Sequence, residues 1–217
     1  MVIYREVDYL KKGYSERKSI IIERLEYFKK VGFENDERLF AELCFCLLTP
    51  QSKAKICDKA IQNLVNTNIL FNGNEQDIKD YLIGVRFNNN KSKYILEARK
   101  LFSNEEGIIK IKEKLNEFKN FYDLREWLVQ NVKGIGMKES VHFLRNIGYY
   151  DSMAMLDRHI LKNLVKHNVI DKVPENLSKT LYLDIEEKMK NFSNDIGISM
   201  EELDLLFWSE ETGEVFK

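Results

Sequence analysis

The sequence predicts an all-α protein made of two helical lobes. Apolar residues recur at spacings of three and four along most of the chain, as in Ile22, Leu25 and Phe28, and this is the period of amphipathic helices that pack on one another. Only 2 Pro and 10 Gly interrupt the 217 residues, too few for the frequent turns of a β-sandwich or barrel. The hydrophobic fraction of 44% is enough for a core. Because this length exceeds one average domain without filling two, we expect small lobes that share a cleft.

The helices follow one another between short turn-forming sequences. The first precedes Gly32, and the second carries Leu39, Leu43 and Leu47 at helical spacing. Further breaks are expected, in chain order, at Thr49-Pro50, Asn72-Gly73, residues 84–90, Gly107, Gly134-Ile135-Gly136, residues 148–152, Val173-Pro174 and Gly197. These breaks predict about ten helices. Because the chain shows no repeat and no linker, we expect a single unit over residues 1–217 whose lobes are not separable by a linker.

Composition and cysteine count exclude several classes of protein. The longest apolar run, residues 43–48, is far shorter than the ~20 residues of a membrane span, and residues 1–15 lack the apolar core of a secretory signal. We therefore expect an intracellular protein that does not bind membranes. The three cysteines, Cys44, Cys46 and Cys57, are one short of a four-thiolate zinc or iron–sulfur site. A mixed Cys/His site stays open, although we expect neither a metal nor a cofactor.

Charge is balanced over the whole chain but not along it. The 34 Lys and Arg residues against 35 Asp and Glu residues give a net charge of −1. Between residues 86 and 100 five basic residues stand against one acidic residue, whereas residues 201–214 carry six acidic residues and no basic one. Either cluster is also typical of a solvated helix face. Charge alone therefore does not select a partner.

Two glycines separated by one apolar residue form the most informative segment. Gly134-Ile135-Gly136 lies between a helical pattern that ends at Leu128 and another that continues from Val141. Such glycines permit positive φ and close backbone approach, and the following helix start can hold a phosphate. The pattern predicts a helix-hairpin-helix at about residues 127–148 that can hold a phosphate at Gly134 and Gly136. An ordinary helical corner with a glycine C-cap is the alternative.

Lys138 lies two residues after Gly136, in the first turn of the second helix. A cation at this place opposes the helix macrodipole, so stability alone does not explain it. The positive helix end favours the neutral amine that nucleophilic lysine chemistry requires. A lysine that clamps a phosphate would fit the same corner, so both roles stay open at this point.

Asp157 precedes the apolar pattern of residues 160–165, where a helix N-cap is expected. The chain between the hairpin helix and this position is long enough to return beside Lys138. A carboxylate there could orient the amine and stabilise a cationic transition state. Asp157 is therefore a candidate catalytic residue as well as a candidate cap.

These segments together resemble a known family. The chain is similar to the helix-hairpin-helix DNA glycosylases, and among them to the compact archaeal-type 8-oxoguanine DNA glycosylase/AP lyases, the second family of that activity, from about Phe40 to Lys217. The segments that carry the resemblance are Lys133–Ser140, His142–Tyr149, Leu156–Leu161, Phe45–Gln51, Gly84–Phe87, Leu203–Trp208 and Gly213–Lys217.

The resemblance implies a lysine Schiff-base mechanism. Lys138 would attack C1′ of the damaged nucleotide, expel the base and permit β-elimination of the 3′ phosphate, while Asp157 would support the positive charge on the sugar. The implied partner is double-stranded DNA containing 8-oxoguanine, bound by a monomer. A cytoplasmic, nucleoid-associated protein is then expected.

The resemblance also implies residues that handle the extruded base. Gln51 would fill the hole left in the duplex, and Phe87 and Trp208 would stack on the purine. The carboxylate of Lys217 would accept a hydrogen bond from the base. Apart from the family, these residues also fit a polar loop, core aromatics and a frayed terminus.

Two other classes of function stay open. A monofunctional glycosylase would keep Asp157 without needing Lys138, and a non-catalytic helix-hairpin-helix DNA-binding module would need only the glycines. The family's relatives often carry Gly and Pro ahead of the aspartate, whereas residues 148–156 contain no proline. That departure concerns the shape of the loop before Asp157.

Overall fold

The computed structural model describes residues 3–150 and 153–216. Within these residues the chain forms helices and no strand, so the predicted all-α class is confirmed. The helices are α1 (Val7–Phe33), α2 (Asp36–Leu48), α3 (Ala54–Asn66), α4 (Ile69–Asn72), α5 (Glu75–Tyr81), α6 (Asn88–Phe102), α7 (Ile111–Leu115), α8 (Phe121–Asn131), α9 (Met137–Asn146), α10 (Arg158–Lys166), α11 (Lys179–Ile196) and α12 (Met200–Thr212).

The chain divides into two compact units. Segment 30–149 forms one, named here the continuous unit, and segments 1–29 and 150–217 form the other, named the discontinuous unit. No helix in the described part of the chain combines the length and the apolar character that a membrane crossing requires.

Helix α2 is the centre of the continuous unit. All ten residues from Leu39 to Leu48 are buried, and the helix contacts α3, α6, α7 and α9. Asn35 caps its start by accepting a hydrogen bond from the Arg38 N–H at 2.9 Å. A helix that is apolar on every side must be surrounded by others, and this places α2 in the core.

A buried polar contact joins α2 to α9. The Asn146 amide donates to Glu42 Oε1 at 2.7 Å, and Arg38 donates to Glu42 Oε2 at 3.0 Å. Close backbone packing adds to this contact, because a Cβ on Gly32 would lie 2.2 Å from the Ile147 carbonyl oxygen. These contacts fix the helix that begins with the candidate nucleophile.

The discontinuous unit contains α10, α11, α12 and the N-terminal part of α1, and α12 packs against both α10 and α11. His167 lies fully buried between two rings, with centroid distances of 5.8 Å to Phe192 and 5.6 Å to Phe207. Its Nδ1 donates to the Arg5 carbonyl at 2.9 Å. The stack joins the N-terminal segment to α11 and α12.

The expectation of about ten helices was too low, because two breaks carry neither glycine nor proline. Asn68 adopts a left-handed conformation with φ of 61° and separates α3 from α4. Asn120 caps the start of α8 by accepting from the Asp123 N–H at 2.9 Å, and this separates α8 from α7. Asparagine tolerates left-handed φ and caps helices through its side chain, so it ends helices without glycine.

Candidate active site

The hairpin forms where the glycines predict it. Helix α8 ends at Asn131 and α9 begins at Met137. Gly134 has φ of +91°, and a Cβ there would lie 2.5 Å from the Tyr94 ring and 3.2 Å from a Leu47 methyl. Any other residue would both strain the backbone and collide with α6, so this turn requires glycine.

Lys138 occupies the second position of α9, and its side chain is 27% exposed. Its Nζ lies 3.0 Å from Glu139 Oε1. The other oxygen, Glu139 Oε2, accepts a hydrogen bond from the Gly136 N–H at 3.2 Å, which closes a capping box. One carboxylate thus holds both the hairpin backbone and the candidate nucleophile.

Glu139 is a site residue that was not predicted. The sequence contains a pattern that could have predicted it, because a glutamate three residues after an N-cap is typical of a capping box. The first-turn carboxylate also offsets the unfavourable placement of a cation at a helix N-terminus. A hairpin N–H expected to be open to an anion, that of Gly136, is instead bonded to this side chain.

Gln51 is exposed on the loop between α2 and α3 and has a left-handed φ of 57°. Lys91 of α6, which is 4% exposed, binds this loop through its side chain. The Lys91 ammonium donates to the Leu48 carbonyl at 2.7 Å, the Pro50 carbonyl at 2.8 Å and Ser52 Oγ at 3.1 Å.

Phe87 is the N-cap residue of α6, also with a left-handed φ, of 58°. Its ring is exposed, and the Arg86 guanidinium lies 5.5 Å from the ring centroid. The Arg86 N–H donates to Ser52 Oγ at 3.0 Å, so this turn is tied to the loop that carries Gln51. Positive φ at two non-glycine residues is strained, and surrounding contacts must maintain it.

Asp157 caps α10, as the sequence predicts. Its Oδ1 accepts from the backbone N–H groups of His159 and Ile160, each at 2.8 Å. The preceding loop is held by α11, because the Tyr182 hydroxyl donates to the Ala154 carbonyl and accepts from the Leu156 N–H. A buried tyrosine therefore holds the residues directly before Asp157.

Glu186 also fixes that loop, because its Oε2 accepts a hydrogen bond from the Ala154 N–H at 2.8 Å.

Trp208 of α12 is half-buried, with its ring centroid 6.3 Å from that of Phe216. The remaining candidate, Lys217, lies outside the described residues.

The site candidates are distributed over both units. The continuous unit holds Gln51, Phe87, Gly134, Gly136 and Lys138, and the discontinuous unit holds Asp157 and Trp208.

The cysteines behave as core residues. Cys44, Cys46 and Cys57 are all buried, and none of the three forms a disulfide bond. Burial raises the pKa of Cys57 to about 11, so its thiol stays protonated at neutral pH. Within residues 3–150 and 153–216, no group of three His, Cys, Asp or Glu side chains is arranged to hold a metal ion.

Known proteins of similar sequence share one description. Residues 21–198 match the family described as 8-oxoguanine DNA glycosylase. The chain is 45% identical over 210 residues to an 8-oxoguanine DNA glycosylase/AP lyase of Fusobacterium nucleatum, with 96% of each chain covered. It is 37% identical over 217 residues to the protein of that description from Methanocaldococcus jannaschii, with both chains fully covered.

Solved structures agree with the sequence comparison. The crystal structure of the M. jannaschii 8-oxoguanine glycosylase/lyase in complex with a 15mer DNA containing 8-oxoguanine has a TM-score of 0.88 at 34% identity. That match covers 97% of this chain and 99% of the other. The 8-oxoguanine DNA glycosylase of Thermotoga maritima gives a TM-score of 0.85 at 33% identity, over 97% and 98% of the two chains. By sequence and by fold, the chain belongs to the archaeal-type family of helix-hairpin-helix 8-oxoguanine DNA glycosylase/AP lyases.

Proposed function

We propose that this protein excises 8-oxoguanine from double-stranded DNA and then cleaves the abasic strand by β-elimination. The observation that carries the proposal is the place of Lys138, in the first turn of α9 after the glycine hairpin. The chain also matches relatives that are described as 8-oxoguanine DNA glycosylase/AP lyases over nearly its full length. A non-catalytic binding module would need the hairpin glycines but not both Lys138 and Asp157.

The proposed chemistry begins at the sugar of the damaged nucleotide. The neutral Lys138 amine attacks C1′, the C1′–N9 bond breaks, and the base leaves with the electron pair of that bond and takes up a proton. The nitrogen then loses a proton, the C1′–O4′ bond breaks and O4′ takes up a proton, which leaves a protonated Schiff base between Nζ and C1′. Loss of a C2′ proton then breaks the C3′–O bond and releases the 3′ phosphate.

Two carboxylates serve this chemistry. Asp157 stabilises the positive charge that develops on the sugar as the base departs. Glu139 forms an ion pair with the Lys138 ammonium at 3.0 Å. The amine must separate from this ion pair and lose a proton before it attacks.

Base extrusion is assigned to the remaining candidates. Gln51 fills the space in the duplex, while Phe87 and Trp208 stack on the purine. The Lys217 carboxylate accepts a hydrogen bond from the base. The hairpin residues Gly134 and Gly136 contact the DNA backbone.

The protein is proposed to work as a monomer without a cofactor, and its two units act together as one glycosylase. The hairpin of about residues 127–148 belongs to that single functional unit. Its substrate places it in the cytoplasm with the nucleoid, because chromosomal DNA is where 8-oxoguanine requires repair.

Borohydride trapping tests the proposal. Wild-type protein should form a covalent adduct with a duplex that contains one 8-oxoguanine, and more slowly or not at all with uracil or thymine glycol. Lys138→Gln should abolish both base release and trapping while DNA binding survives, because the nucleophile is lost but the hairpin glycines remain. Lys133→Gln, which removes an exposed lysine five residues earlier, is the matched control and should still trap at saturating protein.

Each alternative function gives a different result in the same assay. A monofunctional glycosylase would release the base without any trapped adduct. A DNA-binding module would bind the duplex and do neither. Equal trapping by Lys138→Gln and wild type would assign the nucleophile to another residue.

A further inference from the structure

Lys91 is a buried ammonium that the proposed chemistry does not use. It lies in the first turn of α6, and all three of its N–H donors are taken up by neutral oxygen acceptors on residues 48, 50 and 52. The acceptors span the end of α2 and the loop that carries Gln51. Because Nζ is fully engaged, Lys91 is not placed to act as a nucleophile.

This arrangement is electrostatically expensive. Burial lowers the pKa of Lys91, and the positive charges of Lys138 and Arg86 act in the same direction, while Cys57 and Glu139 oppose this shift. A well-packed apolar side chain is often at least as stabilising as a buried charge. Stability alone therefore does not account for a lysine here, whereas a need to fix the geometry of the surrounding loops does.

The hydrogen-bond partners of Lys91 are next to two residues with a strained backbone, Gln51 and Phe87. Pro50 and Ser52 flank Gln51, whose φ is 57°. Ser52 Oγ also accepts from the Arg86 N–H, directly before Phe87 with its φ of 58°.

Lys91 is connected to Phe87 by the helix itself. Its own backbone N–H donates to the Phe87 carbonyl at 3.0 Å in the first turn of α6. Lys91 and the Ser52 hydroxyl thus connect the Gln51 loop to the turn at Phe87.

We propose that Lys91 is a positioning residue, which through Ser52 fixes the Gln51 loop and the Phe87 turn in the single arrangement needed to hold an extruded base. This inference rests on the proposed function. Neither residue can keep a left-handed φ without support, because that conformation is unfavourable for a side chain with a Cβ. Lys91 supplies the support by anchoring the backbone on both sides of Gln51.

The test separates base holding from chemistry at the sugar. Lys91→Met keeps a side chain of similar length without donors or charge. It should lower the single-turnover rate of 8-oxoguanine excision by about 10-fold or more, as expected when base stacking is lost. Strand cleavage at a preformed abasic site should stay within about threefold of wild type, because β-elimination needs Lys138 and the sugar but no base contact.

A matched variant controls for loss of charge on the same helix. Lys93 is exposed and lies 4.0 Å from Glu75, so Lys93→Met removes an equal charge without touching the loop. Any loss of DNA affinity in that variant lowers both rates together, and their ratio should stay within about twofold of wild type. An intermediate effect is expected for Ser52→Ala, which removes one acceptor of Lys91 and the acceptor of the Arg86 N–H.

The outcomes distinguish a positioning role from a merely structural one. If Lys91→Met lowers excision and abasic cleavage by the same factor, or neither, the inference is overturned. Should Lys91→Met not fold, Ser52→Ala decides, and an unchanged ratio of the two rates there also overturns it. Failure of the wild-type protein to trap 8-oxoguanine DNA would instead contradict the proposed function, so the two failures are distinguishable.

Discussion

Glu139 solves an electrostatic problem that Lys138 creates. A lysine at the second position of a helix faces the positive end of the macrodipole and is unfavourable there. The neighbouring carboxylate compensates through one oxygen and closes the hairpin through the other. Lys138, the proposed nucleophile, is therefore held beside the glycine turn of the hairpin.

Asp157 has an observed role as a helix cap and a proposed role in catalysis, and substitution can separate the two. Asparagine caps helices nearly as well as aspartate, because its oxygen can accept from the same two N–H groups, those of His159 and Ile160. Asp157→Asn should keep the free energy of unfolding within about 0.5 kcal/mol of wild type. Base excision should nevertheless fall by about 100-fold or more, because the charge that stabilises the sugar cation is gone.

The matched variant Asp157→Ala removes the cap as well as the charge. It should lose about 1 kcal/mol of stability and as much activity as Asp157→Asn. Urea unfolding and single-turnover excision measure the two quantities. Wild-type excision by Asp157→Asn would reduce Asp157 to a helix cap.

His167 should make the stability of the protein fall in acid. Burial lowers the pKa of His167, and Lys166 adds to this effect, while the bond to the Arg5 carbonyl and the charges of Glu6 and Glu210 oppose it. The folded protein thus binds the proton less readily than the unfolded chain. Stability is then complete above about pH 6.5, the ordinary histidine pKa, and falls as the pH drops below it.

The contribution of His167 is measured by replacing the ring. The loss amounts to at most about 1.4 kcal/mol per pH unit for one group. His167→Phe keeps the stack between Phe192 and Phe207 but cannot take up a proton. Its unfolding free energy should change less between pH 7.5 and 5.5 than that of wild type, and equal pH dependence in the two proteins would refute the assignment.

At the scale of the helices, the sequence predicted the turns and caps that depend on one or two neighbouring residues. The hairpin turn was predicted because Gly134 is required by its φ of +91° and by its contact with Tyr94. The cap at Asp157 was predicted because an aspartate directly before an apolar helical pattern is a typical N-cap. The breaks at Asn68 and Asn120 were missed, because asparagine is compatible with both the middle and the end of a helix pattern.

Contacts between distant segments were beyond such prediction. Lys91 appears in the sequence only as one member of a basic cluster, and its acceptors lie 39 to 43 residues away along the chain. Tyr182 is likewise separated by 28 residues from the Ala154 carbonyl that it binds. A periodic pattern shows which face of a helix is buried, but it does not show which carbonyl that face will meet.

Substitution of Phe87 should slow base excision without a large change in the free energy of unfolding. The ring is exposed and the backbone has a left-handed φ at an N-cap, so Phe87→Gly removes few contacts and relieves strain. Its unfolding free energy should stay within about 1 kcal/mol of wild type. Excision of 8-oxoguanine should fall by roughly 5- to 150-fold, the equivalent of ~1–3 kcal/mol of base stacking.

Phe33 offers the matched control, because its ring is 86% exposed at the end of α1. Phe33→Gly should cost up to about 1 kcal/mol, as glycine does in a helix, without slowing excision. Denaturant unfolding and single-turnover kinetics on both variants test this pairing. Unchanged excision in Phe87→Gly would remove Phe87 from the base-holding set.

At the scale of the molecule, a net charge of −1 coexists with exposed lysines in the continuous unit, such as Lys93 and Lys133. Lys91 and Arg99 of the basic cluster instead donate to backbone carbonyls. The ion pairs of this region are exposed, such as Lys133 with Glu97 at 3.4 Å, and such pairs are weak in water. These lysines therefore stay available to phosphates. We expect duplex binding to be strongly salt-dependent despite the overall negative charge.

The magnitude follows from counterion release. Each neutralised phosphate contributes about 0.9 to the slope of log affinity against log salt, so about four contacts would weaken binding roughly 150-fold between 50 and 200 mM salt. Lys133→Gln should reduce that slope by about one. Lys188→Gln removes a half-exposed lysine of α11 in the discontinuous unit, and the slope should not change if α11 does not meet the phosphates. Fluorescence anisotropy with an 8-oxoguanine duplex measures the slope. An affinity independent of salt would contradict duplex DNA as the partner, because phosphate contacts release counterions and must weaken as the salt concentration rises.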